Sequence, residues 1–220
     1  MLQTLKTTGM KLSVNLLLAI GAVISLGHYL LPRPSRDLVL QLNPPPGPAW
    51  FLEQLPRYLD FPQSTFLHVI PSAVFMVLLM LQLSGRIRTH RPALHRINGR
   101  LIFGLGILIA TSGMVLGVVM PFGGLAETLF VTVLFGLFIN ALWQGISYAR
   151  KRNIEMHRKW MFRMTAIALV PVIMRPVLSS MVALGMEGQN AFVPAMVISL
   201  LINLFVIERV LRKKNHGVNR

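Results

Sequence analysis

Residues 99–120 read GRLIFGLGILIATSGMVLGVVM. After Arg100 the stretch carries no charge. At about 1.5 Å per residue it is long enough to cross a hydrocarbon core of about 30 Å as a single helix. The same test applied outward finds five further runs, at 12–31, 64–85, 125–148, 160–184 and 191–211. The expected fold class is therefore all-α, an integral membrane bundle of six transmembrane helices forming a single domain over 1–220. The first run has Lys6 and Lys11 in front of it, as a signal peptide would. It is longer than a signal core and no Ala-x-Ala site follows, so it is expected to be a retained helix. The one long connection, 32–63, contains Asn43-Pro44-Pro45-Pro46-Gly47-Pro48, a stiff extended stretch. Trp50-Phe51-Leu52-Glu53 follows and suits the membrane surface.

Composition agrees with these runs. Of 220 residues 54% are hydrophobic and 13% charged, and the mean hydropathy is +0.61. A soluble domain carries about 25% charged residues, so half the usual charge argues against a water-soluble enzyme. The chain has no cysteine. That excludes disulfides, thiolate zinc sites, iron–sulfur clusters, covalently attached c-type haem and cysteine nucleophiles. No phosphate-binding loop, His-Glu-x-x-His, Gly-x-Ser-x-Gly or dinucleotide fingerprint is present. With seven acids in all, a carboxylate-driven proton pump is a poor fit.

The net charge is +15, and its placement explains it. With the N-terminus inside, the inner segments hold Lys6, Lys11, Arg86, Arg88, Arg91, Arg96 and Arg100. They also hold Arg150, Lys151, Arg152, Arg158, Lys159, Arg163, Arg209, Arg212, Lys213, Lys214 and Arg220. The outer segments hold only Arg33, Arg36 and Arg57. Positive charge collects on the cytoplasmic side of membrane proteins, so an even number of spans with both termini cytoplasmic is expected. The basic balance then needs no nucleic acid. Its simplest partner is the bilayer, with anionic lipid headgroups at the cytoplasmic face.

Ionisable groups inside spans are costly and mark candidate sites. His28, late in the first span, and His68, early in the second, fall at similar depth within about two turns of the outer boundary. His95 and His157 precede the third and fifth spans at the inner boundary. Neutral imidazole ligates iron, zinc and copper, and two imidazoles at matched depth on facing helices suit a b-type haem. His68, His95 and His157 are the candidate metal ligands, and His28 completes the outer pair. Arg96, Arg100 and Arg163 stand where they would neutralise haem propionates or a headgroup. Arg175 is the one basic residue deep in a span, flanked by Pro171 and Pro176, which should kink the helix. It either snorkels to the outer interface or meets an anion, such as a ligand carboxylate, Glu187 or Glu127. Gly99, Gly106 and Gly113 recur every seven residues, with Gly117 after them. Such a strip serves helix packing or admits a flat cofactor. Asn140, Gln144 and Ser147 share one face of the fourth span and are expected to bond to neighbouring helices.

Two blocks are distinctive. His68, Gln82, Gly85-Arg86 and Arg88 lead to His95-Arg96-Ile97-Asn98-Gly99-Arg100; His157-Arg158-Lys159-Trp160-Met161-Phe162-Arg163 follows and leads to Arg175. This segment resembles the bacterial membrane proteins grouped as domain-of-unknown-function family 2306. The resemblance implies a polytopic inner-membrane protein and no established activity. In layout the chain is also similar to six-helix di-haem cytochromes b, which carry histidine pairs near both membrane faces.

Three functions stay open on the sequence. One is a b-type haem electron-transfer bundle. The second is a non-redox carrier for an anionic lipid or small metabolite. The third is a structural or assembly partner, oligomers included, that uses the glycine strip and the Pro-rich segment as contact surfaces.

Overall fold

The computed structural model describes Leu16, Ala19 and residues 62–216. The expected span at 12–31 otherwise lies outside these residues, as do His28 and nearly all of the Pro-rich connection. Within the described chain the order is α1 (Pro62–Leu83), α2 (Gly85–His90), α3 (Pro92–Val119), α4 (Gly124–Arg150), α5 (Ile154–Ala168), α6 (Val170–Ala183) and α7 (Gly188–His216). Five helical segments are long and apolar enough to cross a membrane, with α5 and α6 acting as one segment, Ile154–Ala183. The all-helical membrane fold is as expected. The described residues account for five of the six expected spans.

The ends of these helices follow local chemistry. Ser84 caps α2 by accepting the Ile87 N–H at 3.5 Å, and Pro92 opens α3 at a position where its missing N–H costs nothing. Helix α3 therefore starts seven residues before the apolar run, and His95, Arg96 and Asn98 lie within it. Asn153 caps α5 by accepting the Met156 N–H at 3.1 Å, so His157 is likewise helical. Helix α4 opens on Gly124 at φ +65°, a left-handed conformation open to glycine. The turn before α5 places Arg152 at φ +58°.

The run expected as one helix at 160–184 is interrupted at Leu169. Its N–H still reaches the Thr165 carbonyl at 3.1 Å, but Val172 and Ile173 both turn back to the Leu169 carbonyl. Pro171 is the cause: it lacks an N–H and its ring crowds the carbonyl one turn earlier. The interruption therefore falls before Pro171 rather than around Arg175, and Pro176 is accommodated inside α6.

Described residues up to Ser112 belong to one compact unit and those from Gly113 to another. The first unit buries Ala73, Phe75, Met76 and Leu79 of α1 and Ile102 and Ile109 of α3. In the second, α4 packs on α5, and α7 packs on α5 and α6. Its core gathers Phe122, Met174, Leu178, Ala191, Phe192, Ala195 and Met196, with Phe122 and Phe192 edge-to-face at 5.2 Å. Large apolar side chains such as Leu129, Leu201 and Phe205 face outward, as a lipid-facing surface requires.

Candidate functional site

In the first unit His68 on α1 meets Ser112 on α3, Nδ1 to Oγ at 3.1 Å. Ser112 Oγ also lies 3.2 Å from the Ile109 carbonyl. Which of the two groups donates in the His68–Ser112 contact depends on the imidazole tautomer; in either case Nδ1 is the nitrogen engaged.

His95 belongs to a polar clamp between the end of α1 and the start of α3. Asn98 donates to the Leu78 carbonyl at 2.8 Å and to Gln82 Oε1 at 2.8 Å. With its oxygen taken, Gln82 turns Nε2 toward His95 Nε2 at 3.4 Å. His95 Nε2 is thus the acceptor of an amide. Gly99 lies under the same clamp, since a Cβ there would stand 3.1 Å from Gln82 Nε2. The first glycine of the strip meets Gln82, and Gly106 is buried. Counted along α3, His95 and the Ser112 that holds His68 are about 25 Å apart, so the two histidines occupy opposite ends of this unit.

In the second unit His157 Nδ1 donates to the Gly145 carbonyl at 2.7 Å. A carbonyl only accepts, so this ring keeps its proton on Nδ1 and its lone pair on Nε2. Helices α4 and α5 cross closely here: a Cβ on Gly145 would stand 2.6 Å from Met161 Sδ. Arg163 donates through Nε to Glu208 Oε1 at 2.6 Å and lies over the Trp160 ring at 4.9 Å. Arg163 is thus already neutralised by Glu208, whereas Arg96 and Arg100 are exposed and have no ion pair among the described residues. Arg175 folds back so that Nη1 donates to the Pro171 carbonyl at 2.9 Å. Glu127 Oε2 accepts the Gly123 N–H at 2.7 Å, and Glu187 Oε2 accepts from Asn190 at 3.0 Å.

The structure therefore places His68 and His95 in the first unit, His157, Arg163 and Arg175 in the second, and His28 outside the described residues. No group of three His, Cys, Asp or Glu is gathered among the described residues. Asn140, expected to bond to a neighbouring helix, is exposed. Sequence reasoning missed the roles of Gln82 and Asn98. It also missed Asn203, which donates to the Ala166 carbonyl at 3.0 Å. A polar amide inside an apolar run was the available signal for Asn203; Asn98 stands among charged residues just before its run and gave none.

No curated protein and no solved structure matches this chain. The family described as "Predicted membrane protein (DUF2306)" matches residues 65–211, which include both histidine–arginine blocks and all but the outermost residues of the five segments long and apolar enough to cross a membrane. The chain belongs to this family of membrane proteins of unknown function.

Proposed function

We propose that this multi-pass membrane protein is an electron-transfer bundle that holds b-type haem through histidine Nε2 atoms. The observation that carries the reading is His157, whose Nδ1 donates to the Gly145 carbonyl at 2.7 Å and leaves Nε2 as the lone-pair nitrogen. His68 likewise has Nδ1 engaged, by the Ser112 hydroxyl at 3.1 Å. A backbone carbonyl that accepts from the other ring nitrogen orients a ligating imidazole and raises its basicity. His28 is the proposed companion of His68. His95 takes part only if the 3.4 Å contact with Gln82 gives way. Arg96 and Arg100 supply unpaired positive charge for carboxylate groups, while Arg163 does so only by exchanging Glu208. The proposed location is the inner membrane with cytoplasmic termini, supported by the concentration of Lys and Arg on alternate connections.

Visible absorption of the purified protein, oxidised and dithionite-reduced, tests the reading. A Soret band that disappears in His157→Ala or His68→Ala supports it. A colourless preparation after growth with ample haem precursor overturns it, and the non-redox carrier of an anionic lipid or metabolite becomes the function.

A further inference from the structure

The short connection between α1 and α3 holds an open hollow of about 410 Å³, lined by Arg86, Ile87, His90, Arg91 and Leu94. Two arginines and a histidine contribute to its mostly apolar wall, and all three are exposed. None of the three has an ion pair among the described residues. The hollow is built on fixed backbone: Ser84 caps the start of α2, and the Arg91 N–H closes its end on the Ile87 carbonyl at 2.9 Å. His90 is held as well. Its Nδ1 lies 3.2 Å from the Arg86 carbonyl, an acceptor only, and 2.8 Å from the Thr89 hydroxyl, which donates to the Gly85 carbonyl. Nδ1 therefore donates to the Arg86 carbonyl, which fixes the orientation of the ring.

The apolar part of the wall continues into the membrane-crossing part of α3. Leu94, Ile97, Leu101 and Leu108 are 46, 54, 52 and 41% exposed. Their spacing of three, seven and fourteen residues from Leu94 sets them along one stripe of the helix. The stripe begins at the hollow, beside Arg86 and Arg91, and leads away from it along an apolar helix. A small soluble anion would use the cations and have no use for the stripe. A molecule with a charged phosphate at one end and hydrocarbon at the other uses both.

We infer that this hollow seats the phosphate of an anionic membrane lipid, with its acyl chain laid along Leu94, Ile97, Leu101 and Leu108. The phosphate lies between the two guanidinium groups, which favour bidentate contacts with its oxygens. This inference stands apart from the haem reading, since it uses neither His68 nor His157.

Native mass spectrometry of the full-length protein with added phosphatidylglycerol, phosphatidylcholine or inorganic phosphate tests it. Phosphatidylglycerol is expected to be retained in preference to phosphatidylcholine, and millimolar inorganic phosphate is expected not to displace it. The double variant Arg86→Gln, Arg91→Gln should weaken phosphatidylglycerol binding about thirtyfold, from about fivefold per basic residue near an anionic surface. Both side chains are exposed, so the variant should keep the wild-type elution volume. Arg209→Gln, an exposed basic residue stacked on Phe205, should leave binding unchanged. Equal retention of the two lipids, wild-type binding by the folded double variant, or an equal loss with Arg209→Gln overturns the inference. So does inorganic phosphate that displaces the lipid at matched concentration, because the site would then serve a free anion.

Discussion

Asn203 of α7 reaches across to the Ala166 carbonyl at 3.0 Å. Ala166 is in the last turn of α5 and is 6% exposed. A hydrogen bond there is shielded from competing water. Asn203 therefore ties α7 to α5 just before the interruption at Leu169. Asn203→Leu should lower stability by about 1 kcal/mol, the scale of interhelical hydrogen bonds in bilayers. Thermal unfolding followed by tryptophan fluorescence reads it. An unchanged or raised midpoint would show that this bond does not hold α7 to α5.

The clamp of Gln82, His95 and Asn98 makes a second prediction. Asn98 is 4% exposed and its amide serves two acceptors. Asn98→Leu leaves the Leu78 carbonyl and Gln82 Oε1 short of a donor and should cost about 1–3 kcal/mol. Gln82→Ala should cost less, because Asn98 keeps the Leu78 carbonyl. Equal midpoints for the two variants would show that the clamp carries no such hierarchy.

At Gly145 helix α4 lies close against α5. Gly145→Ala places a methyl group against Met161 Sδ and should destabilise by about 1–3 kcal/mol through overpacking. Adding Met161→Ala should restore much of the loss, because the sulfur that blocks the methyl is gone. Additive rather than compensating midpoint shifts would place the strain elsewhere.

Arg163 and Glu208 are 2.6 Å apart, yet their side chains are 28% and 37% exposed. A double-mutant cycle with Arg163→Gln and Glu208→Gln should give a coupling of only about 0.5–1 kcal/mol. A coupling of several kcal/mol would mean that the pair is screened from water and headgroups far better than its exposure implies.

Membrane sidedness is open to a direct measurement. Reporters inserted at Gly185 and fused after Arg220 flank one crossing segment, Gly188–Arg212, and should report opposite sides, with the carboxyl-terminal one cytoplasmic. Identical signals would remove α7 from the set of crossing helices.

The membrane-crossing segments were legible because a bilayer demands an unbroken apolar length, which composition along the chain displays directly. Their ends were less so. His95 and His157 seemed to precede spans because apolar runs begin after them, whereas the caps at Pro92 and Asn153 start the helices earlier. The interruption at Leu169 was signalled by proline but misplaced, since proline disrupts the turn before itself. The pairings of His68 with Ser112, His157 with Gly145 and Asn203 with Ala166 depend on how helices distant in sequence register against one another. No periodicity within one helix encodes that register.

Arg152 holds a left-handed backbone, φ +58°, that costs a side-chain-bearing residue about 1–2 kcal/mol. Glycine would relax that turn. It would also delete one of three consecutive cations, Arg150, Lys151 and Arg152, of the kind that orient a nascent chain during insertion. One position thus sets conformational ease against correct delivery into the bilayer. A variant selected for heat resistance at Arg152 should be watched for molecules inserted upside down.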